Sequence, residues 1–324
     1  MTEMPTRGRR LGAPDPLDAA ARAGWLYYAG GLTQDQIAAQ MGISRQRAQR
    51  LVSRAMQEGL VRVRLEHPLS ECLELEARLR DRFDLHEVRV APSLGEDIDR
   101  SLGPIAAALF DAVLGRETTG IVGLGIGRAL AAMAAEVEHR ARPDQTLVSL
   151  IGNIADDGSG SQFEVIMTLA ARIHAPHFPM PAPVLVASAE ERRSVLNLRA
   201  VRTVRDLGQR ADVIFLGVGQ MGARAPLLTQ GFLTSDDLHA LERRGAVGEI
   251  TGYVYDADGQ YIDTPLGERL TSVQVHPSAE RLTVGVAGGK AKMAALRGAL
   301  KGGILNGLVT DETTARALLD GRHD

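Results

Sequence analysis

Apolar positions along the chain recur with two different periods. Near the amino end they follow helical spacing. Over 17–29, Leu17, Ala20, Ala21, Gly24, Trp25 and Tyr28 share one face, and Gly30-Gly31 ends the helix. Thr33 followed by Gln36 forms a capping box, so a second short helix starts there, with Ile37, Ala38 and Met41 inward. Gly42 suits a tight left-handed turn. Ser44 caps a third helix, whose Ala48, Leu51, Val52 and Ala55 are spaced i, i+3, i+4, i+7. After Gly59, the stretch LVRVRL alternates as a short strand or wing with Arg62 and Arg64 on its wet face.

From residue 86 onward short apolar runs alternate with amphipathic stretches. Strands are expected at HEVRVAP, TTGIVGLG, TLVSLIGN, ADVIFLGVG, RLTVGVAGG and ILNGLVT. Helices are expected over 100–115, 128–139, 162–173, 234–245, 290–303 and 311–319. ITGYVYDADGQYI predicts a hairpin turning at Asp258-Gly259, in a small added lobe. The alternation predicts a doubly wound, mainly parallel α/β domain. Between the two regions, Leu75, Leu79 and Phe83 recur among charges over 68–85. This linker helix is either a dimer seam or part of the large core. The expected division is a disordered tail over 1–16, a helix-turn-helix head over 17–66, a linker helix over 67–84 and an effector domain over 85–324.

Charge sharpens the picture of the head. Residues 1–65 hold ten arginines against five acids, while the whole chain is at -3, which leaves -8 on the other 259 residues. A basic head on an acidic body expects a polyanion at the head alone. With the apolar stripe of the third helix buried, its arginines and glutamines face out. That is the arrangement of a helix-turn-helix recognition helix, where Arg pairs with guanine and Gln with adenine. Arg45, Gln46, Arg47 and Gln49 are candidate base readers, with Arg50, Arg54, Arg62 and Arg64 on phosphates. Thr33 and Gln34 sit at a helix start that also suits phosphate, and Ser44 completes the DNA-binding set. A single cysteine, Cys72, excludes an internal disulfide framework and fits the cytoplasm. No apolar run is long enough to span a bilayer, and the basic but not apolar start of the sequence is not expected to be a signal peptide.

Three predicted strands end in glycine-rich loops, GLGIGR (123–128), GVGQMG (217–222) and GVAGGKAK (285–292). Ligands of open α/β sheets sit at strand carboxyl ends, so the three loops mark one candidate pocket. Gly123, Gly125, Gly127, Arg128 and Gly219 belong to it by position. Lys292 is one of three lysines in the chain and stands near a helix start. Asn153, Gln162 and Glu249 are placed to bind hydroxyls, with ordinary capping as the alternative for each. His174 and His177 read as a strand-edge or loop pair. No metal-ligand spacing or nucleophile elbow is present, and Arg128 stands where a dinucleotide fingerprint wants its third glycine. No catalytic residue, metal or cofactor is expected. The alternatives are a sugar-phosphate enzyme fused to a DNA-binding head and a nucleotide-sensing repressor.

In order along residues 17–320, the stretches YYAGGLTQDQIAAQMGISRQRAQRLVSRAMQEGLVRV, CLELEARLRDRFDLHEVRV, GLGIGRAL, AVGEITGYVYDADGQ and VGVAGGKAKMAALRGALKGGILNGLVTDETTARALL resemble the SorC family of bacterial sugar-responsive transcriptional regulators. The resemblance implies a winged-helix-like head and an effector domain resembling the ribose-phosphate isomerase and glucosamine-phosphate deaminase folds. It implies a sugar, polyol or sugar-phosphate effector, palindromic operator DNA, and a homodimer or homotetramer. It carries an effector role onto Lys292 and Glu249. The family's first glycine loop often offers Ser or Thr to a phosphate. Here that loop reads Gly125-Ile126-Gly127-Arg128-Ala129 and has no hydroxyl, which leaves either Arg128 as the substitute or an unphosphorylated polyol as the effector.

Overall fold

The computed structural model describes residues 16–61, 70–95, 97–154 and 165–321. They fall into two compact units, divided between His67 and Pro68.

The first unit is three helices, α1 (Pro16–Tyr28), α2 (Gln34–Met41) and α3 (Arg45–Gln57). The capping box at Thr33 forms, with the Thr33 N–H donating to Gln36 Oε1 at 2.8 Å and the Gln36 N–H to Thr33 Oγ1 at 3.4 Å. Gly42 turns the chain at φ 65°, a conformation with a steric cost for any residue carrying a Cβ. The Ser44 hydroxyl then accepts from the Arg47 N–H and opens α3. Ala23, Leu26, Ile37, Ala38, Ala48 and Val52 form the core of this unit. The inner face of α1 differs from the expected one. Ala20, Ala23, Gly24 and Leu26 are buried, whereas Trp25 is 65% exposed and Tyr28 41%. Gly24 lies so close to Ala55 and Val61 that a Cβ would come within 2.7 Å of each. The close approach of α1 to α3 therefore sets the register, and the bulky aromatics are left outside. Of the expected wing, Leu60 and Val61 are described; Arg62 and Arg64 lie outside the described residues.

The second unit is built on a seven-stranded parallel sheet in the order β1-β10-β9-β5-β2-β3-β4. The strands are β1 (Glu87–Ala91), β2 (Ile121–Leu124), β3 (Thr146–Ile154), β4 (His177–Pro183), β5 (Val213–Leu216), β9 (Leu282–Val286) and β10 (Gly307–Asp311). One face carries α5 (Ile98–Leu114), α6 (Arg128–Glu136) and α7 (Val165–Ile173). The other carries α4 (Ser70–Phe83), α9 (Arg199–Gln209), α12 (Met293–Lys301) and α13 (Glu312–Asp320). Strands buried on both sides read as continuous apolar runs, as β5 and β9 do. In α4, Cys72, Leu75 and Leu79 are buried in this core, so the expected linker helix belongs to the large unit.

The remaining elements are α8 (Ala189–Leu196), α10 (Pro226–Thr229), α11 (Ser235–Arg243), two 3-10 turns over Gly267–Arg269 and Lys290–Lys292, and a small antiparallel sheet. That sheet joins β6 (Gly219–Gln220), β7 (Ala246–Ile250) and β8 (Tyr253–Asp256). The hairpin between β7 and β8 turns at Thr251-Gly252, where both φ values are positive. The expected turn at Asp258-Gly259 is a second reversal, which returns the chain to a single Tyr255–Tyr261 bridge. His174 lies between α7 and β4, and His177 opens the edge strand β4. No helix among the described residues is long and apolar enough to cross a membrane.

Candidate nucleic-acid interface and candidate effector pocket

In the first unit, burial of Ala48, Val52 and Ala55 fixes which side of α3 meets solvent. The opposite line is Gln46, Arg50, Ser53 and Gln57, at i, i+4, i+7 and i+11, flanked by Gln49 and Arg54. Together they line a shallow groove along the helix. Arg47 is exposed but stands at the edge of this strip, beside the half-buried Leu51. Arg50, expected on phosphates, stands at its centre. Ser53 and Gln57 were missed by the sequence reading, although the four-residue ladder from Gln46 marks them.

Ion pairing sorts the arginines further. Arg45 Nε lies 3.5 Å from Asp35 Oδ1, and Arg54 Nε lies 3.3 Å from Glu58 Oε1. The Arg45 and Asp35 side chains are 69% and 67% exposed, so that pair contributes at most ~1 kcal/mol and a phosphate can displace it. Among the described residues no ion pair engages Arg47 or Arg50. The hydroxyls of Thr33 and Ser44 are occupied as helix caps, and Gln34 is half-buried at the α2 start.

In the second unit, the carboxyl ends of β1, β2 and β9 surround a cavity of about 400 Å³. Asp97, Ile98 and Asp99 line it from the start of α5, Arg128 from the start of α6, and Gly288 and Lys292 from the loop after β9. Arg128 Nε lies 3.3 Å from Asp99 Oδ2. Asp97 caps α5 by accepting from the Arg100 N–H at 3.3 Å. The α6 start has Gly127 as its cap, which offers no side chain, and among the described residues no side chain engages the first N–H groups of the helix. The β9 loop is held from below by α13. The Gly289 N–H donates to Thr314 Oγ1 at 2.7 Å, and that hydroxyl donates to the buried Asp311 carboxylate at 2.6 Å. A Cβ on Gly288 would lie 2.4 Å from Asp311 Oδ2, so only glycine brings this loop so close.

The expected effector residues divide accordingly. Arg128 and Lys292 line the cavity. Gly127 is the backbone residue that starts α6. Gly125 donates its N–H to Phe215 O at 2.9 Å and joins two strand ends. Gly123 is a correction: it lies inside β2, where a Cβ would press on Ile214, Ala211 and Leu150, so its glycine answers to packing. Gly219 pairs with Glu249 across β6 and β7, and a Cβ there would lie 1.9 Å from Glu249 Oε1. Asn153 lies in β3 with its side chain outside what the structure describes, and Gln162 lies outside the described residues. Asp97, Ile98 and Asp99 were missed, because the β1–α5 loop lacks the glycine run by which the other loops were recognised.

Glu249 is half-buried and accepts from the Gly252 N–H at 2.8 Å. Burial pushes its pKa up, against the pull of that N–H and of Lys292. Burial pushes Lys292 down, against the carboxylates of Asp99 and Glu249, while Arg128 adds to the lowering. The two thus oppose each other's shift. An acid whose folded pKa is raised costs stability once pH exceeds its unfolded value, and costs nothing when both states are protonated. Glu249→Gln is therefore expected to melt at or above the wild-type temperature near neutral pH. The difference should vanish below pH 4.5, the ordinary value for this group. Thermal melts across pH check it; a variant several degrees less stable at pH 7 would contradict the assignment.

Residues 67–320 match the family model described as "Putative sugar-binding domain", and residues 23–68 match the MarR family model. The chain is 33% identical over 302 residues to the erythritol catabolism regulatory protein EryD of Brucella abortus, covering 93% of this chain and 96% of that protein. It is 33% identical over 312 residues to the transcriptional regulator LsrR of Escherichia coli K12, covering 93% and 94%. The crystal structure of the full-length sorbitol operon regulator SorC from Klebsiella pneumoniae superposes with a TM-score of 0.72 at 29% identity, covering 95% of this chain and 100% of that one.

Proposed function

Because this chain belongs to the SorC-type family of sugar-binding transcriptional regulators, we propose that the cavity at the ends of β1, β2 and β9 is its effector pocket. Its head is a helix-turn-helix and its body a sugar-binding domain. The observation that carries the proposal is the meeting of Arg128, Lys292, Asp97 and Asp99 around one open space in the sugar-binding unit. A space of this size fits a small carbohydrate. Lys292 and Arg128 offer only donors and the two carboxylates only acceptors, which together match a ligand bearing hydroxyls. Gly127 presents the α6 amides beside them. Glu249 acts on Lys292 through its charge rather than by lining the space, and Gly219 leaves room for the Glu249 carboxylate. The protein acts by binding and carries out no chemistry on its ligand. It works in the cytoplasm as a homodimer or homotetramer on a palindromic operator, as the two-fold match between half-sites and paired heads requires.

On the head, Gln46, Gln49 and Arg50 read base edges, with Arg47 at the rim of the same surface. Arg45 and Arg54 exchange their exposed carboxylates for phosphates, and the α2 start with Thr33 and Gln34 borders the backbone. Effector and operator are linked through a coupling free energy. Whatever factor the effector changes in operator affinity, the operator changes in effector affinity, on the order of 5–150-fold in comparable systems.

Lys292→Ala tests the pocket. It is expected to weaken effector binding at least about tenfold, one lost charge-assisted contact being worth ~1.5–3 kcal/mol. Operator affinity without effector should stay within about twofold. Calorimetry and fluorescence anisotropy on the full-length protein measure the two. Effector binding unchanged in the variant would remove Lys292 from the site.

A further inference from the structure

The charges around the pocket narrow the effector class, given the pocket assignment above. Two cations, Arg128 and Lys292, face two carboxylates, Asp97 and Asp99. Asp99 already engages Arg128 at 3.3 Å, and Lys292 feels the field of both Asp99 and Glu249. Among the described residues the local sum is therefore zero or slightly negative. A phosphate monoester brings about -1.5 to -2 charges at neutral pH. It would have to detach Arg128 from Asp99 and then lie beside that carboxylate. Held against the Asp99 carboxylate, the phosphate's charge is repelled at close range, and solvent only partly screens the two. An exposed arginine does not repay that, and Arg128 is 72% exposed. Among the described residues no hydroxyl side chain stands at the start of α6 to share the load, because Gly127 caps it.

An uncharged polyol meets none of these costs. Each of its hydroxyls both donates and accepts, while the lining alternates pure acceptors (Asp97, Asp99) with pure donors (Arg128, Lys292). The first-turn amides of α6 would serve an anion as well as a hydroxyl, so the discrimination falls to Asp99. We propose that the pocket selects an uncharged polyhydroxyl effector, and that Asp99, by neutralising Arg128, is the residue that excludes phosphorylated ones.

Calorimetry on the full-length protein tests this with erythritol, ribitol and sorbitol against erythritol 4-phosphate, ribitol 5-phosphate and sorbitol 6-phosphate. Wild type should bind at least one free polyol, and its monophosphate at least tenfold more weakly. Asp99→Asn, which removes one carboxylate and releases Arg128, should shift that ratio by tenfold or more toward the phosphate. It should also make inorganic phosphate a competitor. Arg128→Ala, with its carboxylates intact, should bind no phosphate at all. Circular dichroism and retained operator binding establish that both variants are folded. A monophosphate that binds wild type more tightly than its parent polyol overturns the inference while leaving the pocket assignment standing. So does an Asp99→Asn ratio equal to that of wild type. If neither arm binds wild type or variant while operator binding persists, the pocket assignment itself fails, and this inference with it.

Discussion

Arg50→Ala is expected to weaken binding to a selected operator duplex about ten- to a hundredfold, while binding to random duplex falls only severalfold. Arg50 stands between Gln46 and Ser53 on the line of α3 opposite the buried Ala48, Val52 and Ala55. A helix lying in the major groove turns that line toward the base edges. One bidentate Arg–guanine contact contributes ~1–3 kcal/mol of discrimination, and its loss relaxes the sequence preference at one position. Arg47 supplies the internal comparison. It is also exposed but set at the rim of the strip, so Arg47→Ala should lower specific and nonspecific affinity by similar factors, with a salt slope shallower by about one. Anisotropy titrations at several salt concentrations separate the two patterns. If Arg50→Ala lowered both affinities equally, Arg50 would be a phosphate contact.

Ile37→Ala is expected to abolish operator binding altogether and leave the effector unit intact. Ile37 is fully buried at the centre of a core of six side chains. Truncating such a residue costs ~2–5 kcal/mol. A unit of about 46 described residues has little more than that to lose, because small domains bury too little surface to be robust. Loss of the α2–α3 turn then removes the exposed strip as a unit. The large unit has its own core and should melt as before. Calorimetry should show its transition in place and the smaller one gone. Retained operator affinity in this variant would mean that the head draws its stability from elsewhere.

The order of strands and helices was legible where periodicity and punctuation agreed, as at β5, β9 and α12. It was not legible where a local rule opposed the outcome. β4 holds Pro179, Pro181 and Pro183, which argue against a strand; an edge position spares it the missing donors. The β7–β8 hairpin turns at Thr251, whose φ of 51° no turn rule assigns to a β-branched residue. The stripe of α9 is narrow, with Val201, Val204 and Gly208 buried among arginines, and the stretch went unread as a helix. Trp25 and Tyr28 drew the inner face of α1 toward themselves because size outweighed spacing, whereas Gly24 and Ala55 decide the approach. Half of the pocket was readable, since Arg128 and Lys292 follow glycine loops. Asp97 and Asp99 were hidden by an unremarkable loop, and they are the groups that set its charge.

Tethered cleavage addresses the recognition surface most directly. The one native cysteine, Cys72, is buried, so Ser53→Cys gives a single accessible thiol on the exposed line of α3. With an iron chelate on that thiol, the bound operator should be cut in clusters within each half-site, at the bases facing α3. A duplex that stays bound to the conjugate and remains uncut would contradict the account.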